Sequence, residues 1–246
     1  MKTLSQHGEV WAFSENRDLM LELLGKGSEL AQILQTKLAA VLLRHRVEKE
    51  SKEFMGYGAH KVYVVDNPML ENLPSEPCIS ALTHLASQYK PEIFLFGSTR
   101  KGKEFALRLA TRLETGCVPD CTHLSIDSNG RLLMGRVVYG GNAVATQLCR
   151  VNPQIATVPS RVFEKPLYEE RGGEVIKVET KLEEPRIEVV EVKEIEAPKV
   201  KIEEAKVVVA GGRGVEKKED FKILEELAET LGGQVAYTRP LCEDRK

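Results

Sequence analysis

Between Glu9 and Leu113 the chain passes four times from a short apolar run to a segment of helical period. The apolar runs Glu9–Phe13, Leu38–Leu43, Lys61–Val65 and Ile93–Phe96 are predicted strands. The first helical segment, Asp18–Lys37, places Leu19, Leu23, Leu30 and Ile33 on one side, with Gly25 and Gly27 as expected break points. Shorter helices are predicted at Ser51–Tyr57, closed by Gly58, at Ser75–Gln88, with Pro77 tolerated in the first turn, and at Lys103–Leu113. Strict alternation of this kind predicts a Rossmann-like α/β domain: a parallel sheet with helices on both faces.

A second unit of the same kind begins near the C-terminus. Val207–Ala210 is β-branched and apolar, Gly211-Gly212-Arg213-Gly214 follows at once, and Phe221, Leu224, Leu227, Ala228 and Leu231 then share one helical face. Gly232 and Gly233 end that helix, Gln234–Tyr237 is the next predicted strand, and Thr238, Arg239 and Pro240 form a turn just past it. Ligands of such sheets lie beyond the carboxyl ends of the strands, the edge on which both the glycine loop and the Thr-Arg-Pro turn fall. Glycines let backbone N–H groups approach an anion, a helix N-terminus adds positive charge, and Arg213 and Arg239 add two guanidinium groups. A plain tight turn with solvated arginines fits the local pattern equally well. The loop has no Gly-Lys-Ser/Thr and is no Walker loop, and its third glycine comes too early for a dinucleotide fingerprint.

Three other stretches raise chemistry. Gly97–Gly102 (GSTRKG) after the fourth strand is either a phosphate cradle or a helix start capped by Ser98 or Thr99. Cys117, Cys121 and His123 lie close together, but the fourth ligand of a zinc site is missing at the usual spacing, so no metal is expected. Asp120 in isolation suits a catalytic carboxylate, yet no second carboxylate or histidine is fixed beside it, and a turn or capping role is expected. No catalytic residue is assigned.

Val-Val-x-Gly-Gly-Arg-Gly, Phe-Lys-x-Leu-x-x-Leu-Ala, Gly-Gly and Thr-Arg-Pro, in that order and spacing, resemble the electron transfer flavoprotein alpha subunit. GCVPDCTHLSI at Gly116–Ile126, VYGGNAVA at Val138–Ala145 and NPQIATVPSRVF at Asn152–Phe163 resemble further blocks of that family, with Asn152 and Pro159 departing from it. The Thr-Arg-Pro turn and the short N-terminal extension are most similar to the nitrogen-fixation-type branch and its carnitine-pathway relatives. The resemblance implies non-covalent FAD, a heterodimer with a beta subunit, and electron flow from a dehydrogenase to an acceptor such as a quinone oxidoreductase. It places Arg239 near the isoalloxazine ring and Thr238 at a flavin heteroatom, with Pro240 in the same turn. Arg213 would serve the flavin, its phosphates or the beta-subunit interface. An adenine-nucleotide-binding regulatory module built on Gly97–Gly102 is the alternative of a different class. An NAD-dependent dehydrogenase is disfavoured, since no Gly-x-Gly-x-x-Gly follows the first strand.

Glu164–Glu204 alternates apolar and charged residues in GEVIKVETK and RIEVVEVKE, which predicts half-exposed strands. IEAPKVKIEEA then reads as a linker, giving an N-terminal domain at 1–195, a linker at 196–205 and the beginning of an FAD-binding domain at 206–246. Two strands and one helix cannot bury both faces of a sheet, and the Gly-Gln-Thr-Gly-like and Gly-Ile-Ser-Gly-x-x-Gln-His segments of the family do not follow, so a C-terminally truncated chain with weakened FAD retention is expected. The formal net charge of −2 gives no case for nucleic-acid binding. Without an apolar run of about 18 residues, no membrane insertion is expected. The lack of a signal-peptide core and the odd count of five cysteines point to the cytoplasm and away from a disulfide framework.

Overall fold

The computed structural model describes residues 7–44, 48–187, 189–191, 202, 205–215 and 218–243. The chain divides into two units, Met1–Val189 and Val190–Lys246. The expected linker at 196–205 lies outside the described residues apart from 202 and 205.

The first unit follows the expected alternation: β1 (Val10–Phe13), α1 (Arg17–Leu34), β2 (Leu38–Arg44), α2 (Glu48–Gly56), β3 (Lys61–Asp66), α3 (Ser75–Tyr89), β4 (Ile93–Gly97) and α4 (Arg100–Arg112). Then come β5 (Cys117–Val118), β6 (Cys121–Ile126), β7 (Leu132–Val138), β8 (Ala143–Gln147), β9 (Gln154–Val158) and β10 (Glu174–Lys177). Seven strands form one parallel sheet in the order β10-β3-β2-β1-β4-β9-β5. The remaining three, β6-β7-β8, form an antiparallel sheet of their own.

Successive strand residues feed two cores, because side chains alternate across a sheet. Val10, Ala12, Leu38, Ala40, Ile93 and Leu95 face one core with α1, α2 and the inner side of the antiparallel sheet. Trp11, Phe13, Ala39, Val41, Phe94 and Phe96 face the other with α3 and α4. Both faces being covered, β1, β4 and all of β2 but its last residue, Arg44, are buried and read as unbroken apolar runs. Each fully buried Leu, Ile or Phe contributes roughly 1.5–3 kcal/mol by leaving water.

Two expectations fail here. Helix α1 runs unbroken through Gly25 and Gly27, which serve close packing instead. A Cβ on Gly25 would lie 2.6 Å from the Glu164 carbonyl oxygen, and one on Gly27 would lie 2.7 Å from Leu38 Cδ1. GEVIKVETK supplies β10 at the sheet edge, but the described part of RIEVVEVKE, residues 186, 187 and 189–191, forms no strand. The hairpin between β7 and β8 turns through Tyr139, Gly140 and Gly141, all at positive φ, and leaves Tyr139 83% exposed.

The second unit has β11 (Val208–Gly211), α5 (Lys218–Thr230), β12 (Gln234–Tyr237) and α6 (Arg239–Glu243), with β11 and β12 parallel and in register from Val208↔Gln234 to Gly211↔Tyr237. Phe221 and Ala228 are buried against this pair, and the Phe221 and Tyr237 rings meet edge to face at 5.3 Å. Leu227 and Leu231, expected on the same buried face, are exposed, since two strands cover only part of the helix. No helix among the described residues is long and apolar enough to cross a membrane.

Candidate functional site

The carboxyl ends of β11 and β12 are tied together where Thr238 N–H donates to the Gly211 carbonyl, 2.9 Å. Gly211 has no room for a side chain: a Cβ there would lie 2.7 Å from Leu224 Cδ1 and 3.3 Å from the Tyr237 ring. A Cβ on Gly212 would be 3.8 Å from Thr238 Oγ1, and around Gly214 nothing lies within 4 Å. The loop therefore leaves β11 tightly packed and then opens to solvent, with Arg213 exposed on it.

Thr238, Arg239 and Pro240 stand on the same edge, but they do not form the expected free turn. They open the short helix α6, whose first bonds run from the N–H groups of Leu241 and Cys242 to the Thr238 carbonyl at 2.9 and 3.3 Å. Proline is compatible with that first turn, where no intrahelical donor is needed. Helical spacing then brings Glu243 to Arg239, whose Nε donates to Glu243 Oε1 at 2.7 Å. The Arg239 side chain remains 86% exposed. Helix α5 carries Glu219 and Asp220 in its first turn, so its positive end is already met by the chain's own carboxylates. Among the described side chains, Arg213 and Arg239 give the edge its cationic character. Two guanidinium groups, a threonine hydroxyl and a glycine-rich loop suit an acceptor-rich anionic group.

The loop after β4 has the opposite character. Thr99 is the N-cap of α4 and its Oγ1 accepts from Gly102 N at 2.9 Å, while Ser98 N donates to the Val158 carbonyl at 2.7 Å. Two carboxylates face these hydroxyls: Glu15 accepts from the Thr99 hydroxyl, and Asp120 from Ser98 Oγ. Lys103 Nζ lies 2.7 Å from Asp120. Burial pushes the Asp120 carboxyl up, but hydrogen bonds from Lys103 and Ser98 outweigh it and hold it below the usual range. The glycines are also accounted for by packing, because a Cβ on Gly102 would sit 2.0 Å from the Gly97 carbonyl oxygen. The N–H groups of Ser98 and Gly102 are thus spent internally and both hydroxyls are held by carboxylates, as in a capped helix start. Asp120, at φ +56°, is a turn residue in this network. Glu15 and Lys103 had no local signal in the sequence.

Cys117, Cys121 and His123 do not converge. Cys121 is buried against the core, whereas a register irregularity between Cys121 and His123 leaves the histidine exposed. Among the described residues no group of three or more His, Cys, Asp or Glu side chains is placed to hold a metal ion.

Residues 10–183 match the electron transfer flavoprotein domain, and residues 201–246 match the electron transfer flavoprotein FAD-binding domain. The chain is 39% identical over 245 residues to the electron transfer flavoprotein subunit alpha of Thermoanaerobacterium thermosaccharolyticum, covering 96% of this chain and 74% of that one. It is 43% identical over 246 residues to the subunit of the same name from Clostridium acetobutylicum, covering 95% and 73%. Protein FixB of Clostridium saccharobutylicum is 40% identical over 249 residues, covering 98% and 74%. These matches span both units, and the chain belongs to the electron transfer flavoprotein family, on its alpha-subunit side.

Proposed function

We propose that this chain is the alpha subunit of a heterodimeric electron carrier and that it holds FAD at the edge formed by β11 and β12. The observation that carries the reading is a coincidence of position. The stretch matching the FAD-binding domain is the one in which Arg213, Thr238 and Arg239 gather at the carboxyl ends of two parallel strands. When bound, FAD supplies the redox chemistry, accepting and releasing electrons. The chain's own residues bind and orient. Gly212 and Gly214 keep the backbone open, the Thr238 hydroxyl offers a hydrogen bond, and the two guanidinium groups favour negative charge beside them. Pro240 fixes the start of α6 and with it the direction of Arg239.

The partner in this reading is the electron transfer flavoprotein beta subunit. The donor is a dehydrogenase and the acceptor a quinone-linked oxidoreductase, with no chemistry of its own assigned to this chain. We place the protein in the cytoplasm, on the ground that all five cysteines are free thiols. Co-production with a beta subunit tests the reading: the purified complex is expected to show the visible absorption of a flavin, with FAD held less tightly than by a complex whose alpha subunit has the relatives' full length. Arg213→Ala and Thr238→Ala are expected to weaken flavin retention. A stable heterodimer that binds FAD equally well in both variants would remove these residues from the site.

A further inference from the structure

The core shared with α3 and α4 contains a line of aromatic rings. Trp11, the single tryptophan of the chain, lies 4.7 Å from Tyr63 between ring centroids and 6.2 Å from Tyr89. Tyr63 in turn lies 4.6 Å from Tyr89. Trp11 and Tyr63 are fully buried, whereas Tyr89, the last residue of α3, is half-exposed. Indole and phenol rings are the side chains of a core most readily oxidised by one electron, and here they run in contact from the interior to the surface.

Both buried rings share one base. Glu9 Oε2 accepts from Trp11 Nε1 and from the Tyr63 hydroxyl, each at 2.9 Å, and Glu9 Oε1 accepts from Lys61 Nζ at 2.6 Å. A phenol that loses an electron becomes a strong acid, and a buried cation without a partner is costly. A carboxylate already hydrogen-bonded to the phenol removes that cost by taking the proton along an existing bond. Packing alone asks only that the tyrosine hydroxyl be satisfied. It does not ask for one carboxylate oxygen to serve both oxidisable rings.

We propose that Trp11, Tyr63 and Tyr89 form a one-electron relay, with Glu9 as proton acceptor, that carries an oxidising equivalent from the core to the surface. A one-electron oxidant, of the class of oxygen-derived radicals, takes an electron from Trp11. Tyr63 returns an electron to Trp11 as its hydroxyl proton passes to Glu9, leaving a neutral Tyr63 radical. Tyr89 then gives an electron to Tyr63, which recovers its proton from Glu9, and Tyr89 releases its own proton to water. In sum the oxidant gains one electron, and Tyr89 loses one electron and one proton. Only residues of the first unit take part, so failure of the relay leaves the flavin reading untouched.

Laser photoionisation of the full chain, with nitrous oxide to convert the ejected electron to hydroxyl radical and tert-butanol to remove that radical, tests this. Any tryptophan-radical absorption belongs to Trp11. In the unaltered protein that signal is expected to decay as a tyrosyl radical grows in. Tyr63→Phe keeps the packing and removes the first acceptor of the hole, so the tryptophan radical should live roughly tenfold longer, the factor for about 1.4 kcal/mol of barrier. Glu9→Gln keeps an acceptor oxygen but not the base, and should slow the hand-over and change its solvent deuterium effect. Tyr89→Phe, a change at a half-exposed site, should leave the first step intact and confine the radical to Tyr63, out of reach of added ascorbate. Equal tryptophan-radical lifetimes in the unaltered and Tyr63→Phe proteins overturn the relay. So does unchanged ascorbate quenching in Tyr89→Phe, which remains decisive if Tyr63→Phe does not fold.

Discussion

Lys103, in the first turn of α4, lies 2.7 Å from Asp120, the residue just before β6. A cation at the start of a helix beside a β-strand end is what a nucleotide phosphate would seek, and here a side chain of the protein already occupies it. ATP or AMP titrated into the protein is therefore expected to give no saturable calorimetric signal, with any Kd weaker than about 1 mM, or −4.1 kcal/mol. Tight binding would revive the nucleotide module that the sequence alone left open.

Gly102→Ala tests the packing account of that loop. The added carbon would meet the Gly97 carbonyl at 2.0 Å and Thr99 Oγ1 at 3.0 Å. A backbone oxygen cannot swing aside, and the cost is expected to be roughly 1–3 kcal/mol. Thermal unfolding should fall by roughly 2–12 °C. An unchanged melting temperature would mean the loop is looser than described.

Glu22 predicts a pH effect. It is buried on α1, and its carboxylate accepts from Arg161 N at 2.6 Å. Burial, the largest influence, raises its pKa, while the Arg161 hydrogen bond and the Lys165 charge pull it partly back and Asp18 adds to the rise. A folded value above the unfolded one means that the associated stability is fully present below about pH 4.3 and lost as pH rises through the folded value. Glu22→Gln keeps an acceptor for Arg161. It should therefore raise the urea midpoint at pH 7 by the equivalent of less than about 1 kcal/mol, with the advantage gone below about pH 4.

The pairing of Arg239 with Glu243 predicts opposite effects on a bound flavin. Removing positive charge by Arg239→Ala should lower the flavin potential in the heterodimer, and Arg239→Lys should lower it less. Glu243→Gln frees the guanidinium and should raise it. An exposed pair is worth at most about 1 kcal/mol, which is roughly 40 mV for one electron. Redox titration separates the three variants, and identical potentials would place Arg239 away from the ring.

The family matches leave residues 184–200 between them. We propose that 1–195 fold without the second unit. Limited trypsin digestion is then expected to cut first among Lys193, Lys199, Lys201 and Lys206 and to leave a resistant N-terminal piece. Simultaneous loss of both parts would contradict it.

The first four strands were legible because strands buried on both faces are unbroken apolar runs. Strand β9 was not, although it pairs with both β4 and β5. Its Gln154 and Thr157 look like surface residues, yet both are buried and hydrogen-bonded, Gln154 Oε1 to Leu132 N at 2.8 Å and Thr157 Oγ1 to Ser98 and Asp120. At the candidate site, glycines and arginines were visible from their spacing. The Arg239–Glu243 pair was hidden because a turn was expected where a helix begins. Glu15 reaches Thr99 across 84 residues of sequence, and no local pattern announces such a contact.

The sheet order also sets a timetable for synthesis. Strand β3 ends at Asp66, but its outer neighbour β10 ends only at Lys177, a difference of 111 residues. At about 5–20 residues per second, a ribosome needs roughly 6–22 s to cover that interval. During it the growing chain carries Val62 and Val64 on a strand with one bare flank, which other nascent chains can pair with. The strand that shields this flank is thus among the last parts of the first unit to be made, and slowing translation between Asp66 and Lys177 lengthens the time during which the protein most needs a chaperone.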